Sequence, residues 1–211
     1  MKKFLTSYLL FILLGGLIFG QSNTQSEKIF LIKTSLGNIK IKLYNDTPLH
    51  SGNFSKLVKD GYYNGTIFNS VINQFKIQGG AAKDGAKDVA NTVPAEINAK
   101  YFNKRGALAA ANTNQLNATT GTYGWQFYIV QGRKFTDNEL DAIEKRINRK
   151  FTTEERDAYK TVGGAPFLDG TYTIFGEVTE GLDVVDKIAA VKTGTANKPL
   201  EDITITIEEV K

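Results

Sequence analysis

The sequence predicts a mainly β protein: a closed antiparallel barrel capped at its ends by two helices, with a helical hairpin inserted between two strands. Three observations predict it. Short segments alternate apolar and polar residues in period two, as strands with one buried face must. Two amphipathic stretches at helical spacing lie among them. Residues 134–162 then switch to a helical period with dense charge. Twenty glycines, nine tyrosines and thirteen phenylalanines suit a β-rich chain with many turns.

The first twenty residues stand apart from that pattern. Lys2 and Lys3 precede an apolar run from Phe4 to Phe19, and small Gly20 is followed by polar Gln21-Ser22-Asn23. A basic start, an apolar middle and a small residue before a polar stretch predict a secretory signal over 1–20, cleaved to give a periplasmic or secreted product. The alternative is an uncleaved membrane anchor, for which the run is just short of a comfortable span. Residues 21–28 are polar and read as a linker.

The strands begin at Ile29. Ile29 to Thr34 and Asn38 to Tyr44 flank Gly37, and the second run alternates strictly, which predicts a β-hairpin. Thr47-Pro48 offers an N-cap and a first-turn proline. Phe54, Leu57 and Val58 recur at helical spacing, and Asp60-Gly61 ends that helix. Ile67 to Gln78 reads as a strand pair closing on Gly79-Gly80. Ala107 to Asn112 and Gln126 to Val130 read as short strands around a loop from Thr113 to Gly124. In 134–162, Thr136-Asp137-Asn138-Glu139 and Thr152-Thr153-Glu154-Glu155 are two capping boxes. Leu140, Ile143 and Ile147 form an apolar stripe that Phe151 and Tyr159 can face, so the hairpin is expected to be a packed satellite. Thr173 to Val178, a helix carrying Leu182, Val185, Ile188 and Ala189, and the alternating strand Ile203 to Ile207 complete the chain.

Composition narrows the function. Hydrophobic content of 41% and charged content of 23% are those of a globular chain. Lys2 and Lys3 are the only charged residues of 1–20, so removing that segment lowers the net charge from +4 to +2. The remaining basic residues are scattered, and nucleic acid is not an implied partner. There is no cysteine, which excludes thiolate chemistry, disulfides and Cys-ligated zinc. His50 is the single histidine, so a Ser-His-Asp mechanism or a multi-His metal site would have to hang on that one residue. Beside Pro48 at a helix start, it is expected to be exposed or to serve as a cap.

Several runs resemble one family. Phe68-Asn69-Ser70-Val71-Ile72 followed by Phe75-Lys76-Ile77-Gln78-Gly79-Gly80 is similar to the Phe-His-Arg-x-Ile…Phe-Met-x-Gln-Gly-Gly block of cyclophilin-type peptidyl-prolyl isomerases. Leu108 to Asn112 resembles their Leu-x-Met-Ala-Asn strand, and Gly124-Trp125-Gln126-Phe127-Tyr128-Ile129 their Gly-Ser-Gln-Phe-Phe-Ile. Phe167-Leu168-Asp169-Gly170 with Phe175-Gly176-Glu177-Val178 resembles Trp-Leu-Asp-Gly…Phe-Gly-x-Val. The order and spacing agree from about Ile29 to Val210, apart from the hairpin, so 29–211 reads as one domain.

The resemblance implies an eight-stranded barrel and isomerisation of Xaa-Pro bonds in exported proteins, with no cofactor and no metal. It assigns Phe75, Tyr128, Leu168 and Tyr172 to the proline pocket, with Phe167 in place of a tryptophan. Gln78, Asn112 and Gln126 match the groups that hold substrate backbone. Taken singly, Phe75 and Tyr128 would pass for core aromatics; as an ordered set with three amides they read as a site. The departures are sharp. The family's catalytic arginine falls on Ser70, its preceding histidine on Asn69, a pocket methionine on Lys76 and the serine before the glutamine on Trp125. Lys76 either covers the pocket wall and reaches toward the groove, or points into solvent.

A weakened isomerase is therefore expected, with proline-containing polypeptides as clients, no membrane span after processing, and a monomeric state. The competing reading is a non-catalytic proline-peptide binding or chaperone module, toward which Ser70 tilts. A third reading makes the 134–162 hairpin an interaction element.

Overall fold

The computed structural model describes residues 27–83, 92–111 and 121–210. The expected signal segment 1–20, most of the linker 21–28 and Asn112 lie outside the described residues. Eight strands form the closed barrel: β1 (Ile29–Thr34), β2 (Gly37–Leu43), β3 (Thr66–Ile72), β4 (Lys76–Ala81), β6 (Ala107–Ala110), β8 (Phe127–Val130), β9 (Ile174–Glu180) and β10 (Thr204–Val210). Their order is β1-β10-β3-β4-β8-β6-β9-β2, closing on β1, and every pair is antiparallel. The predicted barrel is present.

Period two explains the core. Phe30 and Ile32 of β1 and Ile39 and Ile41 of β2 are fully buried, while Lys33, Lys40 and Lys42 lie on the outer face in ion pairs. The β1–β2 turn needs Gly37. Its φ is +131°, and a Cβ there would lie 2.7 Å from the Val184 side chain.

Two helices cover the barrel. Helix α1 (Pro48–Lys59) packs Phe54 and Leu57 inward, and α4 (Leu182–Ala189) buries Val184, Val185, Ile188 and Ala189. The α1 start corrects two expectations. Thr47 sits at the N-cap, but its hydroxyl makes no capping bond. The Glu96 carboxylate caps instead, accepting from the backbone N–H groups of Leu49 and His50 at 2.9 Å each. His50 itself is buried, with Nδ1 at 2.7 Å from Glu96 and Nε2 at 3.0 Å from Thr122 Oγ1. It is a structural tie between α1 and two later segments. Burial lowers its pKa, and Glu96 opposes part of that shift.

Two short strands, β5 (Thr92–Pro94) and β7 (Gly121–Tyr123), pair as a separate small sheet. The end of the expected Thr113–Gly124 loop is therefore extended and paired. A three-residue strand is too short to show a period, which is why the sequence reading missed it.

Helices α2 (Asp137–Ile147) and α3 (Thr153–Thr161) form the inserted hairpin, and both capping boxes are made in full. Phe135, Leu140, Ile143, Phe151 and Tyr159 give it an apolar centre of its own. Phe167 packs against this centre and also against the outer face of the barrel, so the satellite is joined to the barrel wall.

Candidate active site

The outer faces of β4 and β8 carry Lys76, Gln78 and Tyr128 of the site residues expected from the sequence, with Gln126 just before β8. Ile77 is buried in the barrel core, which leaves Lys76 and Gln78 on the opposite face. Phe127 and Ile129 likewise point inward, leaving Gln126, Tyr128 and Val130 outside. A bulge aligns β3 with them. Phe68 pairs with Gly79 and Ser70 with Gln78, so Asn69 is an extra residue. One row then crosses four strands: Ser70 opposite Gln78, Gln78 opposite Tyr128, Tyr128 opposite Ala109. Directly opposed residues of antiparallel strands share a face. Small Ala107, Ala109 and Ala111 leave room over it for larger groups.

The amides form a directed chain. The Gln78 side-chain N–H donates to Gln126 Oε1 at 2.7 Å, and Lys76 Nζ donates to Gln78 Oε1 at 2.8 Å. Lys76 does not point into solvent. Its ammonium stands 4.8 Å from the centroid of the Tyr128 ring and 5.6 Å from that of Phe75. Burial pulls its pKa down to about 8.

Apolar surface surrounds these polar groups. Phe75 lies 5.2 Å from Phe167 between ring centroids, and Tyr128 lies edge-on to Tyr172 at 5.7 Å. Phe75, Phe167, Leu168 and Tyr172 are all half-buried against the same outer cluster. Of the expected site residues, all but Asn112 are thus brought together, and Asn112 falls outside the described residues. Trp125 is not a member. It is buried in the barrel core cluster, and its carbonyl oxygen lies so close to Gly80 (φ +95°) that a Cβ there would approach to 2.4 Å. Asn69 has its Oδ1 buried without a hydrogen-bond partner among the described residues.

Sequence reasoning missed the layer beneath. The Tyr128 hydroxyl donates to Asn103 Oδ1 at 2.8 Å. Asn103 in turn donates from its backbone N–H and its side chain to Asp169 Oδ1, at 2.8 and 2.9 Å. Tyr159 of α3 donates to Asp169 Oδ2 at 2.5 Å, and Arg149 lies 3.5 Å from the same oxygen. Burial raises the Asp169 pKa, while these donors pull the other way. The aspartate of the Phe-Leu-Asp-Gly run was a visible signal, but its partners 66 and 10 residues away were not.

Among the described residues, no three histidine or acidic side chains gather as a metal site requires. A cavity of about 560 Å³ lies elsewhere, beside β2 and α3, but its Lys42 and Lys104 both pair with Glu177. The row on β3, β4 and β8 is the stronger candidate because amides, a cation and aromatic surface converge there.

Comparison with known proteins agrees with that geometry. Residues 29–210 match the family model described as cyclophilin type peptidyl-prolyl cis-trans isomerase/CLD. A peptidyl-prolyl cis-trans isomerase of Acinetobacter baylyi is 36% identical over 210 residues, covering 95% of this chain and 94% of its own length. A protein of Staphylococcus saprophyticus is 35% identical over 198 residues, covering 90% and 96%. A crystal structure of a Cryptosporidium parvum cyclophilin type peptidyl-prolyl cis-trans isomerase shares the fold, with a TM-score of 0.66 at 24% identity over 88% of this chain and 99% of that one. With the barrel, the motif order and a family match across nearly the whole chain in agreement, this protein belongs to the cyclophilin-type peptidyl-prolyl cis-trans isomerase family.

Proposed function

We propose that this chain accelerates cis–trans isomerisation of Xaa-Pro bonds in extended polypeptide segments lying across β4 and β8. The observation that carries the reading is the outer row Ser70–Gln78–Tyr128 with Gln126 and Phe75 beside it. Rotation about the prolyl bond must overcome a barrier of about 18–20 kcal/mol set by amide resonance. The reaction needs neither nucleophile nor cofactor. Phe75, Leu168 and Tyr172 supply a surface for the proline ring, backed by the fully buried Tyr128, and the Gln78–Gln126 pair supplies donors and acceptors for the flanking backbone. Interactions that strengthen as the bond twists lower the barrier; those made equally to both planar forms only bind.

Ser70 favours a second reading, a module that holds proline segments without turning them over. A hydroxyl on a short side chain cannot span what a guanidinium spans. The two readings separate in one assay. Uncatalysed exchange takes tens of seconds or longer, so even weak acceleration is measurable. The isomerase reading expects the wild-type chain to accelerate it, with Phe75→Ala and Gln78→Ala lowering the rate. No acceleration at high protein concentration, with proline peptides still bound, would replace it with the binding module.

A further inference from the structure

We propose that the Lys76 ammonium is the charged donor of this site, standing in for the arginine that Ser70 cannot replace and donating to the prolyl nitrogen as the bond twists. The inference rests on the isomerase reading and names the group within it that acts on the reacting atom.

Three observations carry it. The ammonium is held in place, since Gln78 Oε1 accepts from it at 2.8 Å. It lies over the buried Tyr128 ring, 4.8 Å from its centroid, and 5.6 Å from that of Phe75, a ring of the proposed proline surface. It also reaches the amide pair from the strand next to Ser70, because Ser70 stands directly opposite Gln78 and Lys76 lies two residues before it on the same face. An ammonium has three N–H donors, and one is engaged by Gln78. Among the described residues, no second hydrogen-bond acceptor engages the others. As the prolyl bond twists, amide resonance is lost and the nitrogen lone pair becomes an acceptor. A pre-placed cationic donor then gains strength in the transition state alone. Only a hydrogen bond strengthens; no covalent bond forms or breaks and the proton stays on Lys76.

Among the described residues, few charged or titratable groups face this ammonium. Tyr128 of β8 presents its ring, and its hydroxyl is committed to Asn103. Asp169 lies beyond Tyr128, near Arg149, and acts on the Tyr128 phenol from there. Arg146 of α2 lies over Phe167, one ring farther out. From β3, Ile72 stands opposite Lys76 and is neutral. No described carboxylate pairs with the ammonium, and burial is the one influence that moves its pKa, to about 8. The charge is thus present below that pH and lost as the pH rises through it.

The test measures kcat/KM for a proline peptide between pH 6 and 9.5. Wild type should be active at pH 6.5 and decline about tenfold per unit above about 8. Lys76→Met keeps the stem without the charge, and should lose on the order of 10²-fold at pH 6.5 and show no decline above it. Lys76→Arg stays charged throughout and should show a flat profile at a higher level than Lys76→Met. A wild-type rate flat to pH 9.5, or Lys76→Met equal to wild type, overturns the proposal while leaving the isomerase reading intact. A gain in Lys76→Met also overturns it, since the ammonium would then be occupying the place of the ring. No wild-type activity at pH 6.5 sinks the isomerase reading and this one together.

Discussion

Gln78 has one side-chain carbonyl oxygen, and Lys76 already donates to it. An arginine introduced at position 70 would arrive from the opposing strand at the same oxygen. The oxygen has a second lone pair, but two cations would then meet at it in a half-buried setting, where like charges repel strongly. Ser70→Arg is therefore expected to change the wild-type rate little. In the Lys76→Met background the same substitution should raise kcat/KM on the order of 10²-fold, because it restores one charged donor beside a neutral pocket wall. Isomerisation kinetics on the four members of this cycle measure the coupling directly. An equal gain in both backgrounds would show that the two side chains do not share Gln78.

At the scale of elements, α3 is tied to the pocket by a chain of buried hydrogen bonds: Tyr159 to Asp169, Asn103 to Asp169, and Tyr128 to Asn103. Partly satisfied buried networks are costly, so removing one donor is felt by the rest. Tyr159→Phe keeps the ring packed in the hairpin centre and deletes only the hydroxyl. It should lower stability by about 1–3 kcal/mol, read as a shift in the urea midpoint, and slow isomerisation through looser placement of Tyr128. An unchanged midpoint with an unchanged rate would mean that the hairpin does not support the pocket. The hairpin itself was legible in the sequence because capping boxes and a helical stripe are local signals. Its tie to Tyr128 was not legible. Asn103 and Asp169 meet across 66 residues, and nothing in a period or a spacing announces a polar pair at that range. The same holds for His50, whose partners Glu96 and Thr122 lie 46 and 72 residues away.

At the scale of the whole molecule, strand alternation made the barrel legible, since Ile39, Ile41, Ile205 and Ile207 each mark the inward face of a strand. The order of the strands came from the motif resemblance, because alternation says which face is buried and not which strand lies beside which. Where the molecule works is a separate matter. The basic and apolar residues of 1–20 support export, and the chain recovered from the cell envelope should have lost them. Intact-mass measurement should place the mature start near Gln21. A membrane-bound species retaining Lys2 and Lys3 would favour the anchored alternative.

The seam of the barrel sets the order in which the cylinder can close. β10 is the last strand to emerge, yet it lies between β1 and β3 and pairs with both. Until residues 204–210 arrive, β1 and β3 each present an open edge and no closed cylinder exists. A chain folding from its N-terminus would therefore stay an incomplete sheet, and would close only when β10 slides into the gap. Closure thus waits on the residues farthest from β1 in the chain, and β3, which carries Ser70, gains its second neighbour only then.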